Sequence, residues 1–532
     1  MGIYLNPGNA GFAEVVNSNY QDKTGMIGLI NERIDTPDKL ICISRPRRFG
    51  KSYAAKMLCA YYDHTCDSHC LFDDKEIAET ECYEKLINSF NVIYLDITGF
   101  ISDTMRRDGS IKQAVNRIAD SVHQELINDY PELKDIESVS DCMIAYVKKT
   151  KKKFVFIVDE WDAIIREAKS DTGIQTAYLN LLREWFKNGN FTPKAVAIAY
   201  MTGILPIKKD GSESAISDFK EFTILHPGPF VKYTGFTESE VKALCEQYGM
   251  SFEQAKQWYD GYDFKKSEPV YNPYSVMTAM QMGEFRSYWR KTSAAESLKT
   301  YVGMNIDGLQ DKILRLIAGE PVEVYTDDFE NDFESFNSSD DVLTLMIHLG
   351  YLVYDAETSR VRIPNNELRI EFNRLLKRPA NKKLSELVRN SEKLLQDTLD
   401  GNEKEVADAI VRVRNTNYAP MFYNNEQALR YIIKFAYIIC IDYYLKVEEL
   451  PTGHGIADVV FLPKRDTSLP AMIVELKWNR TAEGAIRQIK ENDYPALISE
   501  YSGDVLLVGI NYDIESKEHS CKIEKIKKQD NI

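Results

Sequence analysis

The segment ISRPRRFGKSYAAKML, residues 43–58, carries residue types that bind phosphate. Gly50, Lys51 and Ser52 stand in the order found in a P-loop, where backbone N–H groups at a helix N-terminus hold phosphates. In such a loop the lysine reaches the terminal phosphates and the hydroxyl binds Mg²⁺. Arg45 stands where the first glycine of the loop is expected. Taken alone, the segment leaves a phosphate site and a chance match open.

The residues around this segment extend the candidate site. Three arginines can donate charge-assisted hydrogen bonds to phosphate, although arginines with no such role fit the pattern equally well. We predict that the nucleotide is bound by Arg45, Arg47, Arg48, Phe49, Gly50, Lys51, Ser52 and Tyr53.

Two acids end the apolar run KFVFIVDEWD. The pattern predicts that Asp159 holds Mg²⁺ together with Ser52, and that Glu160 orients or deprotonates an attacking water. Thr202 ends the next apolar run, AIAYMTG, where its hydroxyl could contact the terminal phosphate. We therefore add Asp159 and Thr202 to the nucleotide site. The alternative is a strand end with two solvated acids.

A second group of polar residues lies near the C-terminus. Glu475 and Lys477 in IVELKW project from the same face of a strand, because side chains alternate with a period of two. Asp458 in GIADVVFL can meet them from a neighbouring strand. Asp458 and Glu475 are oxygen ligands suited to Mg²⁺, and Lys477 can position water or stabilise charge on a phosphate. A structural Glu–Lys pair on an edge strand remains the alternative.

Three residues outside these strands could support the second group. Glu426, on a predicted helix, could complete the metal shell. Gln488 and Tyr494, in AIRQIKENDYPAL, could orient the substrate backbone or close the site.

The elements that must position these residues read as two α/β regions. Apolar runs at 40–44, 91–97, 153–159, 195–203 and 222–226 alternate with helical patterns, which predicts a doubly wound domain with a parallel sheet. Near the C-terminus, a helix at 424–445, strands at 456–463 and 471–478, a helix at 481–499 and a strand at 504–513 predict a smaller α/β domain.

The middle of the chain is predicted to be mainly helical. Thr237 is an N-cap candidate, and later segments read as a helix, a small hairpin and another helix, which suits a helical or winged-helix-like lid. Amphipathic helices broken at Gly401 follow. We predict three domains: residues 1–230, 231–380 and 381–532.

Composition limits the classes of function. The 532 residues carry a net charge of −15, which argues against a protein coated in basic surface for nucleic acid but allows a local basic groove. Nine cysteines without a CxxC pair suit a reducing compartment. There is no signal-peptide pattern and no apolar run of the roughly 20 residues that span a bilayer. We expect a cytoplasmic protein without a membrane partner.

The motifs together resemble a bacterial family with an N-terminal AAA-ATPase-like domain and a C-terminal PD-(D/E)XK nuclease-superfamily domain. The resemblance rests on QDKTGMIGLI, RPRRFGKS, IVDEWD, YMTGILPI, WYDGYDF, YNPYSV, LGYLVYD, GIADVV and IVELKW. It implies an ATPase of the additional-strand type with a lid around Pro273, and a restriction-endonuclease-like fold. RPRRFGKS looks like the P-loop form of that family. Ile456, where a basic or polar residue is common, departs from the pattern, and no arginine finger is identified.

The resemblance also implies the function and its cofactors, ATP and Mg²⁺. Nucleotide state would control a Mg²⁺-dependent nuclease acting on DNA or RNA, and a homo-oligomer is compatible with such an ATPase. The implied catalytic residues are Glu160, Asp458, Glu475, Lys477 and Gln488. The alternative is a nucleotide-dependent switch, or an ATPase, whose nuclease-like domain does not cleave.

Overall fold

A parallel five-stranded sheet organises the N-terminal part of the chain in the computed structural model. Its strands are β1 (Leu40–Ser44), β2 (Asn91–Asp96), β3 (Phe154–Asp159), β4 (Val196–Gly203) and β5 (Lys220–Phe222). They lie in the order β2-β3-β4-β1-β5, and all neighbours are parallel. β4 is inserted between β1 and β3, as the additional-strand arrangement implies.

The chain forms two compact units. The first comprises Met1–Leu298 and Glu323–Leu368, and the second Lys299–Val322 and Arg369–Ile532. The three-domain division stays a prediction. The structure describes residues 2–168, 171–207, 216–262, 268–289, 306–327, 329, 336, 338–377, 382–415, 425–452, 455–464, 469–491 and 503–527.

The three central strands of the parallel sheet, β3, β4 and β1, form because their side chains are buried on both faces. Every residue of β1, β3 and β4 is buried. Cys42 and Phe156 belong to one core cluster, and Ile41 and Ile157 to a second, as the alternation of strand side chains requires. Helices cover both faces, which confirms the doubly wound α/β prediction. The helices up to β5 are α1 (Ala10–Val16), α2 (Gly25–Asn31), α3 (Lys51–Tyr62), α4 (His69–Phe72), α5 (Tyr83–Leu86), α6 (Ile97–Asp108), α7 (Ala114–Asp129), α8 (Val139–Thr150), α9 (Ala163–Glu167), α10 (Thr172–Phe186) and α11 (Thr192–Ala195).

β5 is shorter than predicted and begins two residues earlier. The sequence suggested a strand at 222–226, but the strand ends at Phe222. The Thr223 hydroxyl accepts hydrogen bonds from the backbone N–H groups of Leu225 (3.2 Å) and His226 (3.1 Å). This local turn replaces the extended backbone that the apolar pattern favoured.

The middle region follows the prediction closely. Thr237 and Glu240 form a capping box at the start of a helix. A helix, a two-stranded hairpin and a further helix appear in the expected order. The elements of this region are β6 (Phe236–Thr237), α12 (Glu238–Tyr248), α13 (Phe252–Tyr259), β7 (Val270–Tyr271), α14 (Pro273–Met282), α15 (Leu309–Ile317), β8 (Val322–Glu323), α16 (Ser339–His348), β9 (Val353–Asp355), β10 (Arg360–Arg362) and α17 (Asn366–Lys377).

The second unit is built around a mixed sheet. Its strands β11 (Tyr444–Thr452), β12 (Gly455–Pro463), β13 (Ala471–Trp478), β14 (Val505–Tyr512) and β15 (His519–Ile526) lie in that order. β13 and β14 are parallel, and the other neighbours are antiparallel. The helices of this part are α18 (Lys382–Leu399), α19 (Glu403–Arg414), α20 (Glu426–Ala436), α21 (Cys440–Tyr443) and α22 (Ala482–Glu491).

The prediction of a single long helix at 424–445 is wrong. α20 ends at Ala436, and from Tyr444 the chain pairs with β12 as an edge strand. A run of aromatic and aliphatic residues fits a buried helix and a strand equally well, so periodicity alone did not locate this change. Gly401, with φ +75°, separates α18 from α19 as predicted.

Among the residues that the structure describes, no helix combines the length and the apolar character needed to cross a bilayer.

Candidate functional site

The phosphate-loop segment connects β1 to the N-terminus of α3. Gly50 caps the helix with φ +84°, a conformation that glycine adopts without strain. Lys51 is buried, and its Nζ donates to the backbone carbonyls of Arg45 (3.2 Å) and Pro46 (3.1 Å). The same Nζ lies 3.5 Å from Glu160 Oε1. The loop therefore has the strand–loop–helix geometry that a phosphate site needs.

Asp159 lies at the carboxyl edge of the sheet, in register with Asp96 on β2 and Thr202 on β4. It is only 3% exposed, and its Oδ1 is buried without a hydrogen-bond partner among the described residues. Burial raises the pKa of Asp159 to about 6, against the opposing effect of its hydrogen bond with Ser52. A buried carboxylate oxygen without a partner is costly unless a cation or donor binds it.

Glu160 follows Asp159 with φ +52°, in the left-handed region. Its Oε2 accepts a hydrogen bond of 2.6 Å from Arg166 Nη2. Burial alone would raise the pKa of Glu160, but Lys51 and then Arg166 hold it below its ordinary value. Glu160 is therefore an ionised carboxylate next to the phosphate loop.

Thr202 is fully buried between β1 and β3. Its hydroxyl donates to the Ile43 carbonyl at 3.2 Å. The structure thus brings Thr202 beside Asp159, with the hydroxyl engaged by the neighbouring strand.

Arg45 does not point towards the phosphate loop. It is 1% exposed, and burial lowers its pKa to about 10. Four of its N–H groups are directed at protein acceptors: Thr234 Oγ1 (2.9 Å) and the carbonyls of Ser44 (2.9 Å), Phe222 (3.0 Å) and Pro227 (3.4 Å). These contacts favour a structural role, because the donors of Arg45 secure the chain that follows β5, and nucleotide binding by Arg45 stays a prediction.

The side chains of Arg48 and Phe49 also contact protein. The Arg48 guanidinium lies 3.9 Å from the centre of the Tyr274 ring on α14 and donates to the Tyr288 carbonyl at 3.1 Å. Phe49 is buried and packs edge-on against Tyr262, with ring centres 5.1 Å apart. Arg48 and Phe49 are among the predicted nucleotide contacts, but their side chains contact residues of the middle region instead.

Arg47, Ser52 and Tyr53 remain close to the candidate site. Arg47 is partly buried, and burial followed by the nearby Arg166 lowers its pKa while Glu160 opposes the change. Ser52 and Tyr53 lie in the first turn of α3 and are exposed. Their side chains can be reached by a ligand at the helix N-terminus.

The C-terminal polar group lies on β12 and β13. Val459 pairs with Val474 in the antiparallel ladder, which puts Asp458 opposite Glu475. Both carboxylates are buried. Lys477 Nζ donates to Glu475 Oε1 at 3.0 Å. The structure therefore brings together the three residues that the strand pattern linked.

Both oxygens of Asp458 have protein partners. Oδ2 accepts from the Leu476 N–H at 2.8 Å, and Oδ1 pairs with the Arg430 guanidinium. Arg430 lies on α20, one turn after Glu426, so the two side chains share a helix face. Arg430 was not among the predicted residues.

The supporting residues are only partly placed. Glu426 begins α20 and is exposed, and no three acidic, histidine or cysteine side chains among the described residues are grouped closely enough to hold one metal ion. Gln488 lies on α22, half-buried. Tyr494 lies outside the described residues.

Comparison with known families assigns the two candidate sites to two different domains. Residues 8–212 match the family model "Predicted AAA-ATPase", and residues 424–521 match the PD-(D/E)XK nuclease superfamily. The chain has an AAA-ATPase-like domain and a PD-(D/E)XK nuclease-superfamily domain.

Individual relatives are distant. An uncharacterized protein in the vnfD 5′ region of Azotobacter chroococcum mcd 1 is 22% identical over 520 residues, which cover 94% of this chain and 93% of that protein. Among solved structures, the Aeropyrum pernix ORC2 protein aligns with a TM-score of 0.30 and 12% identity, over 68% of this chain and 97% of its own. AMPPCP-bound DnaA from Aquifex aeolicus aligns with a TM-score of 0.25 and 10% identity, over 71% and 95%. Scores this low carry no conclusion about function.

The oxygen donors of the AAA-ATPase-like domain are suited to binding Mg²⁺. Asp159 Oδ1, to which none of the described residues donates a hydrogen bond, is a hard oxygen donor, and the Ser52 hydroxyl lies beside the same carboxylate. The nuclease-superfamily domain fits a Mg²⁺ held by two carboxylates with waters and substrate oxygens, a common Mg²⁺ arrangement. There the Arg430 guanidinium competes for Asp458.

Sequence reasoning missed three charged residues in these domains. Asp162 and Arg166 follow Glu160, and their spacing of four residues at the start of α9 is a recognisable ion-pair signal. Arg430 has no comparable signal, because its partner Asp458 is 28 residues away.

Proposed function

We propose that the chain binds ATP with Mg²⁺ and hydrolyses it, and that its nucleotide state controls Mg²⁺-dependent cleavage of nucleic acid by the nuclease-superfamily domain. The observation that carries the first part is the buried carboxylate of Asp159, whose Oδ1 lies near Lys51 and Ser52 and has no hydrogen-bond partner in the part of the chain that the structure describes. Burying such a carboxylate without a bound cation costs free energy, so binding of a cation there is expected to be favourable.

In the ATPase reaction, the N–H groups at the start of α3 hold the phosphates, and Lys51 turns from the loop carbonyls to the terminal phosphates. Bound Mg²⁺ would neutralise charge on the phosphate oxygens. Glu160 accepts a proton from the attacking water as the new bond to the γ-phosphorus forms and the bond to the bridging oxygen breaks. ADP and inorganic phosphate leave, and Glu160 returns its proton to solvent.

In the nuclease reaction, Asp458 and Glu475 would hold Mg²⁺, and Lys477 would position the water or offset the charge on the phosphate. The attacking water gives up a proton to solvent as its oxygen forms the new bond to phosphorus. The P–O bond to the leaving group breaks, and the leaving oxygen takes up a proton from solvent. This assignment rests on two buried carboxylates placed opposite each other on adjacent strands, with a lysine two residues further along.

A second candidate is a nucleotide-dependent switch whose nuclease-like domain binds without cutting. One observation favours it: both oxygens of Asp458 are engaged, by Arg430 and by the Leu476 N–H. If this pairing persists with Mg²⁺ present, the second carboxylate alone would be a weak metal site.

The deciding experiment uses the full chain. ATP turnover is measured for the wild type, Lys51→Ala and Glu160→Gln, and cleavage of single- and double-stranded DNA and RNA is followed with Mg²⁺ or Mn²⁺, with and without ATP. We expect turnover that both variants lose, and cleavage that depends on ATP and is lost in Glu475→Ala and Lys477→Ala. Lys490→Ala is the matched control, because Lys490 forms an exposed ion pair with Glu524. Turnover without cleavage of any substrate would favour the switch, and absence of turnover would overturn the ATPase.

A further inference from the structure

Arg166 on α9 bridges two carboxylates at the end of β3. Its Nη2 donates to Glu160 Oε2 at 2.6 Å, and its Nε donates to Asp162 Oδ2 at 3.0 Å. The Arg166 side chain is only 11% exposed, so both bonds are shielded from water. A guanidinium in this setting fixes the orientation of the carboxylates that it contacts and also compensates their negative charge.

Asp162 is itself held in place by backbone. It is fully buried, and Oδ2 also accepts the N–H groups of Ile204 (3.3 Å) and Leu205 (3.0 Å). These two residues follow Gly203, the last residue of β4. A continuous set of hydrogen bonds therefore runs from the end of β4 through Asp162 and Arg166 to Glu160.

Lys51, a second cation near Glu160, is less firmly tied to it than Arg166 is. Lys51 Nζ lies 3.5 Å from Glu160 Oε1, and its shorter contacts are with the carbonyls of Arg45 and Pro46. In the proposed reaction Lys51 turns to the phosphates. Arg166 stays in contact with Glu160, because its second anchor is a buried acid fixed to the sheet.

We propose that Arg166 is a positioning residue for nucleotide hydrolysis: it holds the Glu160 carboxylate in the orientation that receives the proton of the attacking water. This inference rests on the proposed ATPase function and adds a residue to it. Arg166 acts through Glu160 and is not expected to contact the nucleotide, so it should affect the chemical step and leave binding largely unchanged.

The test compares Arg166→Met and Arg166→Lys with the wild type in the full chain. For each protein, kcat and KM for ATP, the Kd of a non-hydrolysable ATP analogue and the melting temperature are measured. We expect Arg166→Met to lower kcat by at least about tenfold with Kd changed by less than about threefold. Arg166→Lys should lose less, because an ammonium can still pair with Glu160 although it cannot bridge to Asp162 as well.

Arg117→Met is the matched control. It removes an arginine paired with Asp108 at 2.8 Å in the same domain, away from the sheet edge, and should leave kcat unchanged. If Arg166→Met does not fold, Arg166→Lys decides, with an expected loss in kcat of at least about threefold at native melting temperature.

Three results would overturn the inference. They are kcat within about twofold of wild type in the folded Arg166 variants, a loss that appears in Kd instead of kcat, and an equal loss in Arg117→Met. In each of these the wild type hydrolyses ATP, so the proposed ATPase survives. A wild-type chain that binds the analogue but does not hydrolyse ATP would overturn both proposals.

Discussion

Replacing Arg45 by methionine tests whether this arginine serves the fold or the phosphates. The substitution keeps an unbranched apolar stem in place of the arginine stem and removes the four hydrogen bonds to Thr234 and to the carbonyls of Ser44, Phe222 and Pro227. At roughly 1.5 kcal/mol for each bond from a charged donor, their loss costs about 6 kcal/mol.

The loss is partly offset because the buried cation is removed as well. Burial lowers the pKa of Arg45 from 12.5 to about 10, so burying the cation costs roughly 3 kcal/mol at about 1.4 kcal/mol per pKa unit. The net change expected in the free energy of unfolding is about 3 kcal/mol of destabilisation. The affinity of the folded protein for ATP should change by less than about threefold.

Urea unfolding of the full chain measures the stability of the first unit. Four of the five tryptophans, at positions 161, 185, 258 and 289, belong to that unit, so their fluorescence reports mainly on it. Thr234→Val is the matched control, since it removes one acceptor of Arg45 and should cost about 1 kcal/mol. Unchanged stability together with ATP binding weakened by about tenfold or more would refute the structural role and indicate a phosphate contact.

Three further predictions follow from the same contacts. The pKa of Asp159 near 6 lies above its ordinary value of 3.8, so its ionised form is disfavoured in the nucleotide-free fold and becomes less populated as the pH falls below 6. Calorimetry should therefore show Mg²⁺ binding at the nucleotide site weakening by up to about tenfold per pH unit below 6, and an affinity that is flat from pH 7 to pH 5 would contradict this. Tyr274→Ala should lower the unfolding free energy of the first unit by about 1 kcal/mol through loss of the Arg48 contact, whereas Tyr325→Ala, at a tyrosine 68% exposed, should not. Arg430→Met should tighten Mn²⁺ binding to the nuclease-superfamily domain by roughly fivefold, because the competitor for Asp458 is gone, and weaker binding would show instead that Arg430 supports the site.

The parallel sheet that carries the candidate nucleotide site could be predicted because its three central strands are buried on both faces. β1 has the predicted bounds, and β3 and β4 differ by one residue at their N-terminal ends. In the C-terminal sheet, β13 also has the predicted bounds. Apolar runs of this length between helical patterns leave few alternatives. β11 could not be found in the same way, because its aromatic and aliphatic residues continue the pattern of the preceding helix.

The candidate sites were predictable where chemistry and local spacing coincide. Asp159 follows an apolar strand, and Glu475 and Lys477 alternate within one, so each could be assigned from neighbouring residues. The partners of Arg45 could not, because Phe222 and Thr234 lie 177 and 189 residues away. Contacts of that range depend on the tertiary fold, and an arginine in the sequence gives no sign of which acceptors it will meet.

The phosphate loop is shaped by contacts with residues outside the segment that matches the ATPase family. Pro46 fits against Gly350, where even a Cβ atom would come within 2.7 Å of the proline ring, and Phe49 meets Tyr262. Together with the acceptors of Arg45, these contacts extend about 140 residues beyond position 212, where the match to the ATPase family ends. A fragment cut at that position would lose the surroundings that shape the loop. An ATPase domain exchanged between such proteins should therefore include the residues up to Gly350. A shorter exchange would transfer the motif without the residues that support it.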